Sequence, residues 1–199
     1  MAITKQAADE LMKKYSGEVR GVAILTDAEF VRKKWGVEGL NKIKAVASDL
    51  GYPIEYEKIK ALAWYPLALR MLSLFIITDT FNMSGEQVEE MGYTAPKFSF
   101  LMKWLVKYFA STKMTIDQAP SVWRKHYTIG SLETQYNEGD NFALVQVKGL
   151  AFPEMGIKYL QGYFRRVTEF SVGKPVYCEL TETPGEESKY YAFKAWWDK

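Results

Sequence analysis

The chain is predicted to be α+β: an N-terminal helical layer packed on an antiparallel sheet that a hairpin–helix–hairpin C-terminal half supplies. Three observations predict it. Residues 131–150, SLETQYNEGDNFALVQVKGL, read as two strands around the polar turn EGD. Residues 174–197, KPVYCELTETPGEESKYYAFKAWW, read as a second strand pair around the turn-rich TETPGEES. Between them, PEMGIKYLQGYFRRVTEF carries apolar residues at helical spacing, and everything before Gly130 is helical in pattern. There is no internal repeat, low-complexity tract or linker, so residues 1–199 are expected to form a single ligand-binding-like domain, with 1–20 as an N-terminal helical extension.

The elements follow in order. Residues 3–15 predict a short amphipathic helix with Ala7, Leu11 and Met12 on one side. GEVRGVAIL predicts a short strand or an extended entry. Thr26 with Glu29 has capping-box spacing for a helix ending at Gly36. A second helix presents Leu40, Ile43, Val46, Ala47 and Leu50 and stops at Gly51. Residues 64–79 predict a helix that is apolar nearly all round and therefore internal. Ser84 and Gln87 form another capping box. A helix from Pro96 to Ala110 carries two stripes: Phe98, Leu101, Met102, Leu105 and Phe109 on one, Phe100, Trp104 and Tyr108 on the other. Thr115 is expected to cap the next helix. Trp123 and Tyr127 follow four apart, with Gly130 as the stop.

Composition excludes several classes of function. Of 199 residues, 48% are hydrophobic and 15% aromatic, ample for a large core. Against 26 basic residues stand 24 acidic ones, so no global positive field attracts nucleic acid. The pairs Lys13-Lys14, Arg124-Lys125 and Arg165-Arg166 read as solvated helix faces, and so do the carboxylate pairs Glu89-Glu90 and Glu186-Glu187. The N-terminus lacks a signal-peptide core, and a lone cysteine, Cys178, forms no intramolecular disulfide, so a cytoplasmic location is expected. The longest apolar run, Ala61 to Ile77, contains Pro66 and Arg70 and is shorter than the roughly 20 residues that span a bilayer; no membrane span is expected.

Catalytic motifs are missing. There is no GxGxxG, GxxxxGK[ST], GxSxG or CxxCH. His126 is the sole histidine, so a zinc site of Cys/His type lacks ligands and no metal site is expected. His126 near a helix end is either a ligand for a metal or haem, a helix-terminal imidazole favoured by the dipole, or one packed beside Trp123. Cys178, within a strand and without a basic neighbour, reads as a small hydrophobe.

Three segments carry a resemblance: WRKHYTIG with SLE entering the first hairpin, GYFRRVTEFSVG on the intervening helix, and VYCEL with YYAFKAW in the last hairpin. In the order helices, hairpin, helix, hairpin, residues 20–197 resemble the vinyl-4-reductase-like small-molecule-binding domains. That group shares its fold with haem-based nitric-oxide sensors and with trafficking-complex subunits that hold acyl chains. Trp123, Tyr127, Gly130 and Glu133 resemble a bacterial branch of similar length whose members mostly have no assigned function. The resemblance implies a pocket between helices and sheet. Trp64, Met71, Phe75, Phe98, Met102, Leu105, Trp123 and Tyr127 would line it, and the same residues serve equally as packed core. Haem-sensing relatives use a histidine before the sheet, which points to His126. They also carry Tyr-x-Ser-x-Arg for the haem propionates, where this chain reads ALVQVKG.

The expectation is a non-enzymatic cytoplasmic sensor or carrier of an apolar or aromatic small molecule, with no cofactor. Phe100, Trp104 and Tyr108 are the expected face for a homodimer or a signalling partner. The alternatives are a haem-binding sensor using His126, a scaffold or assembly subunit with a filled core, and an enzyme acting on a tetrapyrrole side chain.

Overall fold

The computed structural model describes residues 3–98, 111–185 and 189–199 of the chain. It is α+β, with six α-helices and two antiparallel sheets among the described residues. The contacts divide it into two compact units: residues 1–87 with 126–128, and residues 88–125 with 129–199.

In the first unit α1 (Lys5–Lys14) is capped by the Thr4 hydroxyl, which accepts from the Ala7 amide. α1 packs on α3 through Ala8 and Leu11, so Ala8 takes the inward place expected of Ala7. β1 (Glu18–Arg20) pairs antiparallel with β2 (Trp64–Pro66), with Val19 opposite Tyr65. α2 (Gly21–Asp49) begins directly after β1, earlier than the expected cap at Thr26. Thr26 lies inside the helix instead, where its hydroxyl donates back to the Val22 carbonyl. The expected break at Gly36 is present as a kink, at φ 69° and ψ −167°, a region open in practice only to glycine. Gly51, at φ 83°, follows the helix end. α3 (Leu67–Thr80) starts later than predicted, because Trp64, Tyr65 and Pro66 are spent on β2. Its all-round apolar character does place it inside: Leu67, Leu72, Leu74, Ile76 and Ile77 are at most 2% exposed.

The Ser84–Gln87 capping box forms as expected. The Gln87 side chain accepts from the Ser84 amide at 2.9 Å and the Ser84 hydroxyl accepts from the Gln87 amide at 3.4 Å. α4 (Gly85–Phe98) then runs through Pro96, so the helix boundary expected there is absent. α5 (Thr112–His126) is capped by Ser111, not Thr115: the Ser111 hydroxyl accepts from Met114 N at 3.2 Å. Thr115 sits one turn in, donating to the Ser111 carbonyl.

The C-terminal pattern matches the prediction closely. β3 (Ser131–Gln135), β4 (Phe142–Lys148), α6 (Glu154–Val172), β5 (Tyr177–Glu182) and β6 (Tyr190–Trp196) follow in order. The strands form one antiparallel sheet in the order β3-β4-β6-β5, so the two hairpins join along β4 and β6. One face is buried, with Leu132, Ala143, Val145, Val147, Cys178, Phe193 and Ala195 inward. α6 covers that face, where Phe164 meets Phe193 edge-on at 5.1 Å. Gly130, at φ 71°, is not a helix stop but the turn into β3; a side chain there would press on Leu150 and the Lys148 carbonyl.

α4 and α6 meet at two glycines. A Cβ on Gly92 would overlap the Tyr159 carbonyl, and one on Gly162 would overlap the Glu89 carbonyl. Only glycine at both positions lets these backbones approach so closely.

Candidate functional site

The first unit holds a buried polar cluster. Arg70 lies on apolar α3 and is 4% exposed; Asp27 lies on α2 and is 1% exposed. A guanidinium in that position must be paired, because burying an isolated charge costs far more than any packing gain. Asp27 supplies the pair: Arg70 Nε donates to Asp27 Oδ2 at 3.2 Å. Arg70 Nη1 donates to the Tyr127 hydroxyl at 2.6 Å. Burial pushes the Tyr127 phenol above its ordinary range, and Asp27 adds to that while Arg70 opposes it. Nearby, Tyr56 and Ser73 share a buried hydroxyl–hydroxyl bond of 2.8 Å.

Tyr127 belongs to a short strap, His126–Thr128, that counts with the first unit although α5 counts with the second. The strap is tied to β1. Tyr127 forms a bridge with Val19, Thr128 N donates to the Glu18 carbonyl at 3.0 Å, and Glu18 N donates to the Thr128 hydroxyl at 2.8 Å. His126, the last residue of α5, is half-buried at the head of this strap.

The predicted lining residues belong to both units. In the first unit Met71 is 2% exposed and Phe75 half-buried on α3, while Trp64 on β2 lies under the Arg20 guanidinium at 3.8 Å. Tyr127 bonds to Arg70, the neighbour of Met71 on α3. Trp123 is in the second unit, 6% exposed, with its indole N–H donating to the Ile129 carbonyl at 3.3 Å. Met102 and Leu105, the Phe98 side chain, and the stripe Phe100, Trp104 and Tyr108 lie outside the described residues.

The second unit has its own polar network on α4 and α6. Glu89 accepts from Arg165 at 3.0 Å and from Gln161 at 3.2 Å, and Gln161 also donates to the Cys178 carbonyl at 2.9 Å. Glu169 accepts from Tyr93 at 2.6 Å and from Arg166 at 2.8 Å. Arg165 and Arg166 therefore do not form the solvated face expected of them, nor does Glu89: both guanidinium groups lie against the Tyr93 ring. Glu186 and Glu187 lie outside the described residues. Burial pushes the Cys178 thiol up to about 12, so at neutral pH it is a protonated core residue.

Sequence reasoning passed over Asp27 as a site residue and noticed Arg70 only as an interruption of an apolar run. An arginine inside such a run is a legible signal that a partner exists. Which carboxylate supplies it is a matter of tertiary contact.

No protein-family model matches the chain, and no curated protein matches it. Solved structures do. An H-NOX protein from S. oneidensis in the Fe(II)NO ligation state is 8% identical, with a TM-score of 0.66 over 88% of this chain and 97% of that one. An oxygen-binding H-NOX domain related to soluble guanylate cyclases, as its oxygen complex, is 12% identical, with a TM-score of 0.60 over 88% and 92%. A structure described for modulation of haem redox potential through porphyrin distortion is 14% identical, with a TM-score of 0.60 over 88% and 97%. The fold is thus the haem-NO-binding fold, as the resemblance implied. The expectation of no cofactor is corrected by the same finding: the structures that share the fold are Fe(II) and haem proteins.

The donor set of this chain can be tested against haem. Among the described residues no group of three or more His, Cys, Asp or Glu side chains is arranged around a metal ion. Haem iron does not need one, because the porphyrin supplies four nitrogens and the protein a single axial donor. The chain has one imidazole, His126, half-buried at a helix end. β4, the strand that the resemblance sets against Tyr-x-Ser-x-Arg, presents Ala143, Val145 and Val147 inward, and none of these side chains offers a propionate a hydrogen bond.

Proposed function

We propose that this chain is a non-enzymatic, cytoplasmic small-molecule sensor of the haem-binding kind, with the whole chain acting as one ligand-binding domain. The observation that supports this reading is the haem-NO-binding fold over about nine-tenths of the chain, combined with one imidazole at the end of the helix that precedes the sheet. His126 is the proposed axial donor, and a bound haem would supply the coordination position for a diatomic gas. The chain's own residues orient that donor and exclude water: Tyr127 and Thr128 fix the strap, and α3 contributes a dry interior. The test is reconstitution with haem. A Soret band in the wild type, lost or strongly shifted in His126→Ala, is expected. Colourless wild-type protein after reconstitution overturns the reading.

A second reading is an apolar small molecule as the ligand. What favours it is the apolar inward row of β4, where the haem sensors carry polar propionate partners. Native mass spectrometry of protein purified without added ligand discriminates: an organic adduct lighter than haem supports this reading, and a haem adduct overturns it. Under either reading Phe100, Trp104 and Tyr108 are the proposed face for a homodimer or a signalling partner. An unchanged oligomeric state and unchanged partner binding in Trp104→Ala would remove that assignment.

A further inference from the structure

We infer that Arg70 and Tyr127 are positioning residues for His126: the buried Asp27–Arg70–Tyr127 chain of hydrogen bonds sets where the sole imidazole of the protein sits. The inference rests on the haem reading for its consequence, but its structural half is independent of haem.

The geometry is as follows. His126 is the terminal residue of α5, and helix ends fray because their last carbonyls lack intrahelical partners. What holds the backbone after His126 is therefore tertiary. Two ties are present within two residues: the pairing of the strap with β1, made by the Tyr127–Val19 bridge and the two Thr128–Glu18 bonds, and the Tyr127 hydroxyl on Arg70. They differ in kind. The Thr128 ties are at an exposed position, where water competes for the same groups. The Tyr127–Arg70 bond is shielded, charge-assisted and 2.6 Å long. Its guanidinium cannot turn away, because Nε is held by Asp27 and the side chain is only 5% exposed. Arg70 thus presents a fixed donor, and the tyrosine next to His126 registers against it. A donor of this kind needs no contact with the imidazole; it narrows the positions that residue 126 can occupy.

The single histidine makes this readable without a cofactor. A ¹H–¹³C spectrum of the apo protein contains one imidazole Cε1–H resonance. Tyr127→Phe removes the hydroxyl and keeps the ring; Thr128→Val removes the hydroxyl tie at the exposed end. If the buried tie positions His126, Tyr127→Phe shifts and broadens that resonance, or splits it into two, while Thr128→Val does so much less. In a haem titration Tyr127→Phe then weakens binding about tenfold or moves the Soret maximum, with His126→Ala as the reference for complete loss. Arg70→Lys keeps the charge but not the fork, and is expected to reproduce the Tyr127→Phe spectrum if it folds. An imidazole resonance that is the same in Tyr127→Phe and the wild type overturns the positioning inference. A resonance that moves in Tyr127→Phe while the wild type takes up no haem overturns the haem reading and leaves the positioning intact.

Discussion

The two units solve the problem of placing charge in different ways. In the first, the Asp27–Arg70 pair is dry, at 0% and 5% side-chain exposure, and joins residues 43 positions apart. In the second, Glu89–Arg165 and Glu169–Arg166 are wetter, at 20% and 34% and at 14% and 21% exposure. Arg165 and Arg166 also lean on the Tyr93 ring. A dry pair is close to all-or-none: removing one partner strands a buried charge. A wetter pair can trade its partner for water. The difference teaches where rigidity is concentrated. The dry pair ends on Tyr127, beside the histidine; the wetter pairs support a helix crossing made by glycines.

The largest effect should break the dry pair. Asp27→Ala is expected to lower stability by about 3–5 kcal/mol in urea unfolding, because Arg70 then lies buried and uncompensated. The double variant Asp27→Leu with Arg70→Met should recover most of that loss. If Asp27→Ala costs no more than a surface ion pair, the contrast between the units is wrong.

Next is the glycine crossing. Gly162→Ala places a methyl on the Glu89 carbonyl, and forcing α4 and α6 apart should cost about 1–3 kcal/mol or more by thermal unfolding. The paired control is Gly139→Ala, in a turn with open space around it. An alanine there is strained only by the φ of 96°, so a smaller loss is expected.

Glu89→Gln should cost less again, about 1 kcal/mol, since Gln161 and water can satisfy what is left. A loss as large as that of Asp27→Ala would erase the difference between the two units.

The smallest effect at neutral pH is one that grows only in alkali. Cys178 is raised from 9.0 to about 12 by burial, so between those values the unfolded chain ionises its thiol and the folded chain does not. The unfolded state then binds fewer protons, and stability falls as pH rises through that window. The difference in stability between wild type and Cys178→Ala should therefore shift against the wild type between pH 9 and pH 12, and stay flat below pH 8. Iodoacetamide at pH 8 should label the thiol only in denaturant.

Much of the fold was legible in the sequence. Alternating strands such as FALVQVK and the all-apolar stretch of α3 announce themselves, because burial of one face or of all faces leaves its period in the residues. The Ser84–Gln87 box was legible for the same reason: both partners lie within one turn. Boundaries were less so. Thr26 and Thr115 have the chemistry of caps, yet β1 feeds α2 directly at Gly21 and Ser111 takes the cap of α5. Trp64 looked helical, but pairing with Arg20 made it a strand.

By itself the sequence determined the α+β class, the hairpin–helix–hairpin order and the presence of one cysteine and one imidazole. These are set by local period and by residue count. Tertiary structure alone decided that Arg70 meets Asp27, that Tyr127 closes on Arg70, and that Gly92 and Gly162 sit where two backbones meet. The physical reason is that partner choice for a buried charge, and the approach of two helices, depend on residues brought close only by the fold. No spacing along the chain encodes them.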